Sequence, residues 1–192
     1  MNILHLDSSI TGDNSASRAL SDAIVRELTD ADPAAAVTYR DLVADPLDHL
    51  TLPGFGTPQS AEVLAEFKAA DVVVIGAPMY NFTIPSQLKA WIDRVLIAGE
   101  TFRYTDTGSE GLAGGKKVIV ALARGGLYGK GTAQRGIEHA ERYLTDALAF
   151  IGITDPQFVI AEGLALGDEP RAAALEAAHR AVREIGAACP VA

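Results

Sequence analysis

Two rhythms of apolar residues alternate along this chain. Short runs at Asn2–Asp7 (NILHLD), Val37–Asp41 (VTYRD), Val72–Ile75, Val118–Leu122 and Phe158–Ile160 have the length and composition of strands. In the segments between them, apolar residues return at helical spacing. From Ser15 onward Leu20, Ile24 and Leu28 share one face, and in Gln59–Ala70 so do Val63, Leu64 and Phe67. Ser86–Ile97 predicts a helix that Ser86 could cap, Ile137–Phe150 another, and Pro170–Ala188 an Ala-rich last one. The third run does not alternate, so it predicts a strand buried on both faces. Strand and helix repeated five times predict an α/β fold with a doubly wound parallel sheet and three layers, α/β/α. Its commonest five-stranded form is flavodoxin-like, with strand order 2-1-3-4-5 and ligands beyond the carboxyl ends of the strands. The loop Thr51–Pro58 has no separate core before it, so residues 1–192 read as a single domain.

Composition narrows the function. With 192 residues, 48% hydrophobic and 21% charged, the chain can build a full core. A formal net charge of -9 argues against nucleic acid as a partner. No apolar run approaches the roughly 20 residues of a membrane helix, and MNILHLDSS has no basic secretion signal, so a cytoplasmic protein is expected. The single cysteine, Cys189, can close no disulfide within the chain. His5, His49, His139 and His179 lack ligand spacing, so no metal is expected. Ser109 lacks the glycine two residues before it that a nucleophile elbow needs. Asp93 and Arg94, like Glu138 and Glu141, read as solvated helix charges.

Three loops at the predicted carboxyl edge carry the unusual residues. The first, Leu6–Arg18, enters its helix through Ser15, Ala16 and Ser17. Hydroxyls beside the free N–H groups of a helix start suit a terminal phosphate, although Ser15 reads equally as an ordinary cap. No dinucleotide or Walker glycine motif is present. In the second loop Met79, Tyr80, Asn81 and Phe82 stand between Pro78 and Pro85. Two prolines restrict such a segment, its aromatics offer flat walls, and the amide of Asn81 is both donor and acceptor. That combination suits a planar heterocycle with polar edges. In the third loop Gly125 and Gly126 follow Arg124 and permit close backbone approach. Arg18, Arg103 and Arg124 could each meet a phosphate, and Tyr128 could cover the pocket or lie on the surface.

Together these segments resemble the FMN-dependent NADH:quinone oxidoreductases that also reduce azo compounds, the bacterial azoreductase family of the flavodoxin-like superfamily. The resemblance runs nearly end to end. It rests on Ser9 with Ser15-Ala16-Ser17, Arg40-Asp41-Leu42, Ala77–Phe82 with Gln87-Leu88-Lys89, Thr101-Phe102-Arg103-Tyr104-Thr105, Gly114–Lys117, Arg124-Gly125-Gly126 and Phe150–Asp155. It implies one FMN per subunit, with Ser9 and Ser15 to Ser17 at the phosphate. It implies Met79, Tyr80, Asn81 and Phe82, with Ala123, Arg124, Gly125 and Gly126, around the isoalloxazine. It further implies NADH or NADPH as donor and two-electron, ping-pong reduction of a quinone or azo acceptor, with no side-chain nucleophile. Asn81 would orient the flavin or substrate edge, and Phe102, Tyr104, Phe150 and Tyr128 would line the acceptor pocket. Active sites would sit at a homodimer interface, with Trp91 either a dimer anchor or core. Two departures stand out: Ala123 replaces the family's loop serine, and the Asp45–Gln59 connection is short. A flavodoxin-type electron carrier with a protein partner, an FMN-free nucleotide or phosphate-ligand binding module and a flavin reductase are the alternatives.

Overall fold

The computed structural model describes residues 1–187, so Cys189 and the predicted last helical residue Ala188 lie outside the described residues. In chain order the elements are β1 (Asn2–Asp7), α1 (Ala16–Ala31), β2 (Ala36–Asp41), α2 (Pro58–Ala69), β3 (Val72–Pro78) and α3 (Ser86–Val95). They continue with β4 (Phe102–Thr105), β5 (Gly108–Gly111), β6 (Lys117–Ala123), α4 (Ala140–Phe150), β7 (Gln157–Ala161) and α5 (Asp168–Ala187). Five strands form one parallel sheet in the order β2-β1-β3-β6-β7. This is the predicted 2-1-3-4-5 order, because β4 and β5 pair only with each other, antiparallel.

Period-two alternation divides the strands between two cores. Leu4, Leu6, Val73, Ile75, Val120 and Leu122 pack with Val63 and Phe67 of α2, Leu88 and Trp91 of α3, and Leu144 and Leu148 of α4. Ile3, Val72, Val74 and Ile119 pack with Leu20, Ile24 and Leu28 of α1 and with Ala178 and Val182 of α5. β3 is buried along its whole length, as its unbroken apolar run predicts. Trp91 is 2% exposed and meets Phe67 edge-on at 5.9 Å, so it is core of this chain rather than a dimer anchor. Among the described residues no helix is long and apolar enough to cross a membrane.

Several local expectations need correction. Ser86 does not cap α3: Pro85 holds the cap position, and the Ser86 hydroxyl donates to Gln87 Oε1 at 3.3 Å. The α4 helix begins at Ala140, not Ile137, because Glu138 is extended and its Oε1 accepts from the N–H groups of Ala140 (3.0 Å) and Glu141 (2.8 Å). That carboxylate satisfies donors which a longer helix would bond internally. Arg94 is buried, its Nη1 donating to the Ala90 carbonyl at 2.9 Å, whereas Asp93 pairs with Lys89 on the surface. The β4–β5 hairpin had no strand forecast. Its sequence FRYTDTGSEG is polar and leaves eight consecutive residues exposed from Arg103 to Glu110, so it carries no amphipathic signal.

Candidate functional site

The carboxyl ends of β1, β3 and β6 bring the three unusual loops to one edge of the sheet. At the first, α1 starts at Ala16, and Ser15 Oγ accepts from Arg18 N at 3.2 Å while lying 3.1 Å from Ser17 Oγ. Ser15 is therefore a cap, and its hydroxyl is also one of a pair at the helix start. The N–H groups of Ala16 and Ser17 donate to no group among the described residues. Two free donors, two hydroxyls and the positive end of a 16-residue helix suit a dianionic phosphate.

The second loop is a tight turn. Tyr80 and Thr83 exchange both backbone hydrogen bonds, at 2.9 and 3.1 Å. Between them Asn81 and Phe82 have φ of 47° and 74°, as a type I′ turn requires. Asparagine tolerates that region, but a phenylalanine there costs about 1–3 kcal/mol. The Phe82 carbonyl is fixed by His139 N at 2.8 Å, which helps hold the strained residue. The N–H groups of Asn81 and Phe82 have no acceptor among the described residues. Met79 is half-buried against the core, and its N–H donates to the Ala123 carbonyl at 2.8 Å. Tyr80 joins this loop to the first, because its hydroxyl lies 3.2 Å from Ser9 Oγ and accepts from Ile10 N at 3.1 Å.

The third loop leaves β6 at Ala123. Gly125 is exposed, and the ring of Tyr128 folds back so closely that a Cβ on Gly126 would lie 3.0 Å from its edge. Tyr128 also meets Phe82 edge-on at 6.3 Å, which places it over the junction of the second and third loops. Arg124 does not face this space. Its guanidinium is 0% exposed and pairs with Glu141 (2.7 Å), Glu138 (3.2 Å) and Glu162 (3.5 Å). Its own N–H and carbonyl bond to Ala161 and Leu164. Glu138, also 0% exposed, and Glu141 thus belong to a buried ion network rather than to a solvated helix face. Burial works to raise the Glu141 carboxyl, yet hydrogen bonds from Arg124 and Arg135 hold it below the ordinary glutamate value.

The other candidate arginines are likewise committed to carboxylates. Arg103 pairs with Glu110 across the β4–β5 hairpin, and Arg18 with Asp41. Phe102, Tyr104 and Phe150 form a separate group, with Phe102 4.7 Å from Phe150 and 5.4 Å from Tyr104. Among the described residues no ring contact joins them to Tyr80, Phe82 or Tyr128 of the three loops. His139, at the start of α4, touches Phe82, whereas Phe150 ends that helix, roughly 16 Å further on at 1.5 Å per residue. Tyr104 is 75% exposed.

Sequence reasoning missed the polar cluster beneath the first loop. His5 Nε2 lies 3.0 Å from Ser21 Oγ, Ser21 Oγ donates to Asp7 Oδ1 at 2.8 Å, and Tyr39 Oη donates to Asp7 Oδ2 at 3.1 Å. Of these, His5, Asp7 and Tyr39 line an open cleft of about 410 Å³ with Gly12, Asp13, Ser15 and Arg18. Burial, then the Asp7 and Asp41 carboxylates, push the Tyr39 phenol up to about 12, so it is a donor at neutral pH. The one available signal was His5 and Asp7 alternating with Leu4 and Leu6 on a strand that is apolar at its other positions after Asn2. Burial lowers the pKa of His5 below its ordinary 6.5, with Asp7 and Asp22 opposing and Arg18 assisting. The unfolded chain therefore binds the proton first, so this contribution to stability is complete above pH 6.5 and shrinks as the pH falls below it. Thermal midpoints at pH 7.5 and pH 5.5 should fall further for the unaltered chain than for His5→Gln, which cannot charge. Equal falls would remove His5 from the acid response.

Known proteins are similar to this chain in sequence and architecture. A family profile described as flavodoxin-like fold matches residues 1–185. An FMN-dependent NADH:quinone oxidoreductase of Xanthomonas campestris pv. campestris is 55% identical over 196 residues, covering 93% of this chain and 96% of the relative. One of the same description from Methylorubrum extorquens is 54% identical over 203 residues, covering 98% and 100%. Among solved structures, an FMN-dependent NADH-azoreductase from Bacillus anthracis str. Ames Ancestor in complex with FMN is similar with a TM-score of 0.86. It is 28% identical, with 97% of each chain covered.

Proposed function

We infer, from the premise that the chain belongs to the FMN-dependent NADH:quinone oxidoreductases of flavodoxin-like fold, that it binds FMN and reduces quinones at the expense of NADH. Reductive cleavage of aromatic azo compounds is part of the same reading. Bound FMN would supply a two-electron centre that takes a hydride equivalent from reduced nicotinamide and passes it to the acceptor.

The residues do the holding and orienting. Ser15 and Ser17, with the N–H groups of Ala16 and Ser17, would bind the terminal phosphate, and Ser9 completes that loop. Asn81 and Phe82 would present their N–H groups to a polar edge of the ring system, with Met79, Tyr80 and Tyr128 as apolar surface. The strained Asn81–Phe82 turn is the observation that carries the reading, since an unfavourable backbone needs a reason and two N–H donors left without an acceptor among the described residues provide one. Ala123, in place of a serine, removes one neutral hydrogen bond, about tenfold in affinity at most. Arg124 supports the site from below, with Gly125 and Gly126 its accessible part.

Phe102, Tyr104 and Phe150 stand apart from the three loops of their own chain. In this reading they reach a second copy's flavin across a homodimer interface. A single domain over residues 1–192, with α1 and α5 in one outer layer of an α/β/α sandwich and α2 to α4 in the other, and a cytoplasmic location complete it.

The test is the visible spectrum of FMN-reconstituted, gel-filtered protein under anaerobic conditions. Flavin absorbance should persist, bleach on addition of NADH and return when a quinone is added. Retained flavin that NADH leaves oxidised would favour the electron carrier, and loss of flavin in gel filtration would overturn the reading at its first step.

A further inference from the structure

Arg18 sits one residue beyond the Ser15–Ser17 segment, where a guanidinium would ordinarily be counted as a phosphate ligand. Its hydrogen bonds say otherwise. Nη1 and Nη2 each donate to one oxygen of Asp41 at 2.8 Å, in the two-pronged arrangement that suits guanidinium and carboxylate. Nη2 and Nε then donate to the Ser9 carbonyl at 2.9 and 3.2 Å. Asp41 is itself fixed, since its Oδ1 accepts from Val43 N at 2.9 Å and Ala44 N at 3.3 Å just beyond β2. Ser9 is thus gripped from two sides, at its carbonyl by Arg18 and at its hydroxyl by Tyr80. Gly76 makes room beneath, for a Cβ there would lie 2.2 Å from Asp7 Oδ1 and 3.0 Å from Ser21 Oγ.

We propose that Asp41 and Arg18 are positioning residues for the cofactor's phosphate, acting through the Ser9 carbonyl, and that Arg18 is not itself a phosphate ligand. The proposal rests on the FMN reading above. Asp41 anchors the guanidinium, the guanidinium fixes the first loop, and the loop presents its hydroxyls and N–H groups at one spacing. The negative charge of Asp41 would by itself repel a phosphate dianion, so its retention beside that loop needs a geometric role.

This makes opposite predictions for one substitution. If only charge mattered, Asp41→Asn would tighten FMN binding. If Asp41 positions the loop, the neutral amide holds the fork less firmly and FMN should bind about ten- to a hundredfold more weakly. Riboflavin, which lacks the phosphate, should bind the variant and the unaltered protein within about twofold of each other. Both dissociation constants follow from quenching of flavin fluorescence, with thermal midpoints measured alongside to confirm folding. Arg18→Lys is the second variant: it keeps the charge but loses the fork, so FMN should weaken while riboflavin does not. FMN binding that is unchanged or tighter in both variants would overturn the proposal, as would equal losses for FMN and riboflavin. An unaltered protein that binds riboflavin as tightly as FMN would overturn the proposal alone, and one that binds neither flavin would overturn the FMN reading with it.

Discussion

Arg124→Met should lower the thermal unfolding midpoint by roughly 6–20 °C. The range follows from about 3–5 kcal/mol for breaking a buried ion pair and about 2–4 °C per kcal/mol in a domain of this size. The side chains of Arg124 and Glu138 are both 0% exposed, and Glu141 and Glu162 close on the same guanidinium. Methionine fills much of the volume, so the cost is chiefly electrostatic: three carboxylates would face one another, with the half-exposed Arg135 beside Glu138 and Glu141. The network ties the end of β6 to the start of α4 and the end of β7, so the third loop should loosen too, and FMN should bind more weakly. Adding Glu138→Gln should recover part of the loss, because the amide oxygen can still accept from Ala140 and Glu141 while the stranded charge is gone. Circular dichroism melts of the single and double variants at pH 7 decide it. A single-variant midpoint within about 2 °C of the unaltered protein would mean that solvent already screens the cluster.

How much of this was legible in the sequence depended on the kind of force involved. The five strands of the sheet follow from burial, which leaves a period in the sequence: Val72–Ile75 could hardly be anything but a central strand. Their order follows from the few topologies that right-handed crossovers allow. The three loops were legible because they break that pattern, with Met79 to Phe82 standing where small turn residues are usual. Glu138 and Arg94 were misread because charge on a helix is ordinarily solvated, and only the fold shows Glu138 enclosed with Arg124. Asp41 belonged to a motif block without an assigned role. Its partner Arg18 is 23 residues away, and a pairing at that distance has no periodicity to reveal it. The strained φ of Phe82 was equally invisible, since the residue that occupies a I′ turn is normally glycine. The hairpin was missed because its exposed strands alternate nothing.

That hairpin supplies the other large effect. Its last residue, Gly111, lies against the turn that follows α4, and a Cβ built there falls 2.1 Å from Gly152 N, 2.2 Å from Ile151 C and 2.5 Å from Gly152 Cα. All three are backbone atoms, so no rotamer change relieves the contact, and Gly152 is itself fixed at φ 96°. Gly111→Ala must therefore move β5 outward or displace the end of α4. The Ala113 N to Ile151 O hydrogen bond of 2.9 Å, and the packing of Phe102 on Phe150, stand in the way of either movement. Overpacking of this kind costs about 1–3 kcal/mol and occasionally more, which in a chain of this length is a fall of roughly 2–12 °C in thermal midpoint. The functional consequence separates the two halves of the site. Because no ring contact joins the hairpin's aromatics to those of the three loops among the described residues, FMN affinity should stay within about threefold, under about 1 kcal/mol. Quinone turnover should fall about tenfold or more if Phe102, Tyr104 and Phe150 complete a neighbouring copy's acceptor pocket, since a small misplacement of positioning groups is costly in rate. Steady-state turnover at saturating NADH, set against an FMN titration of the same preparation, reads both quantities. Turnover that falls only in proportion to lost flavin would place the aromatic group outside the reaction and leave Gly111 a residue of packing alone.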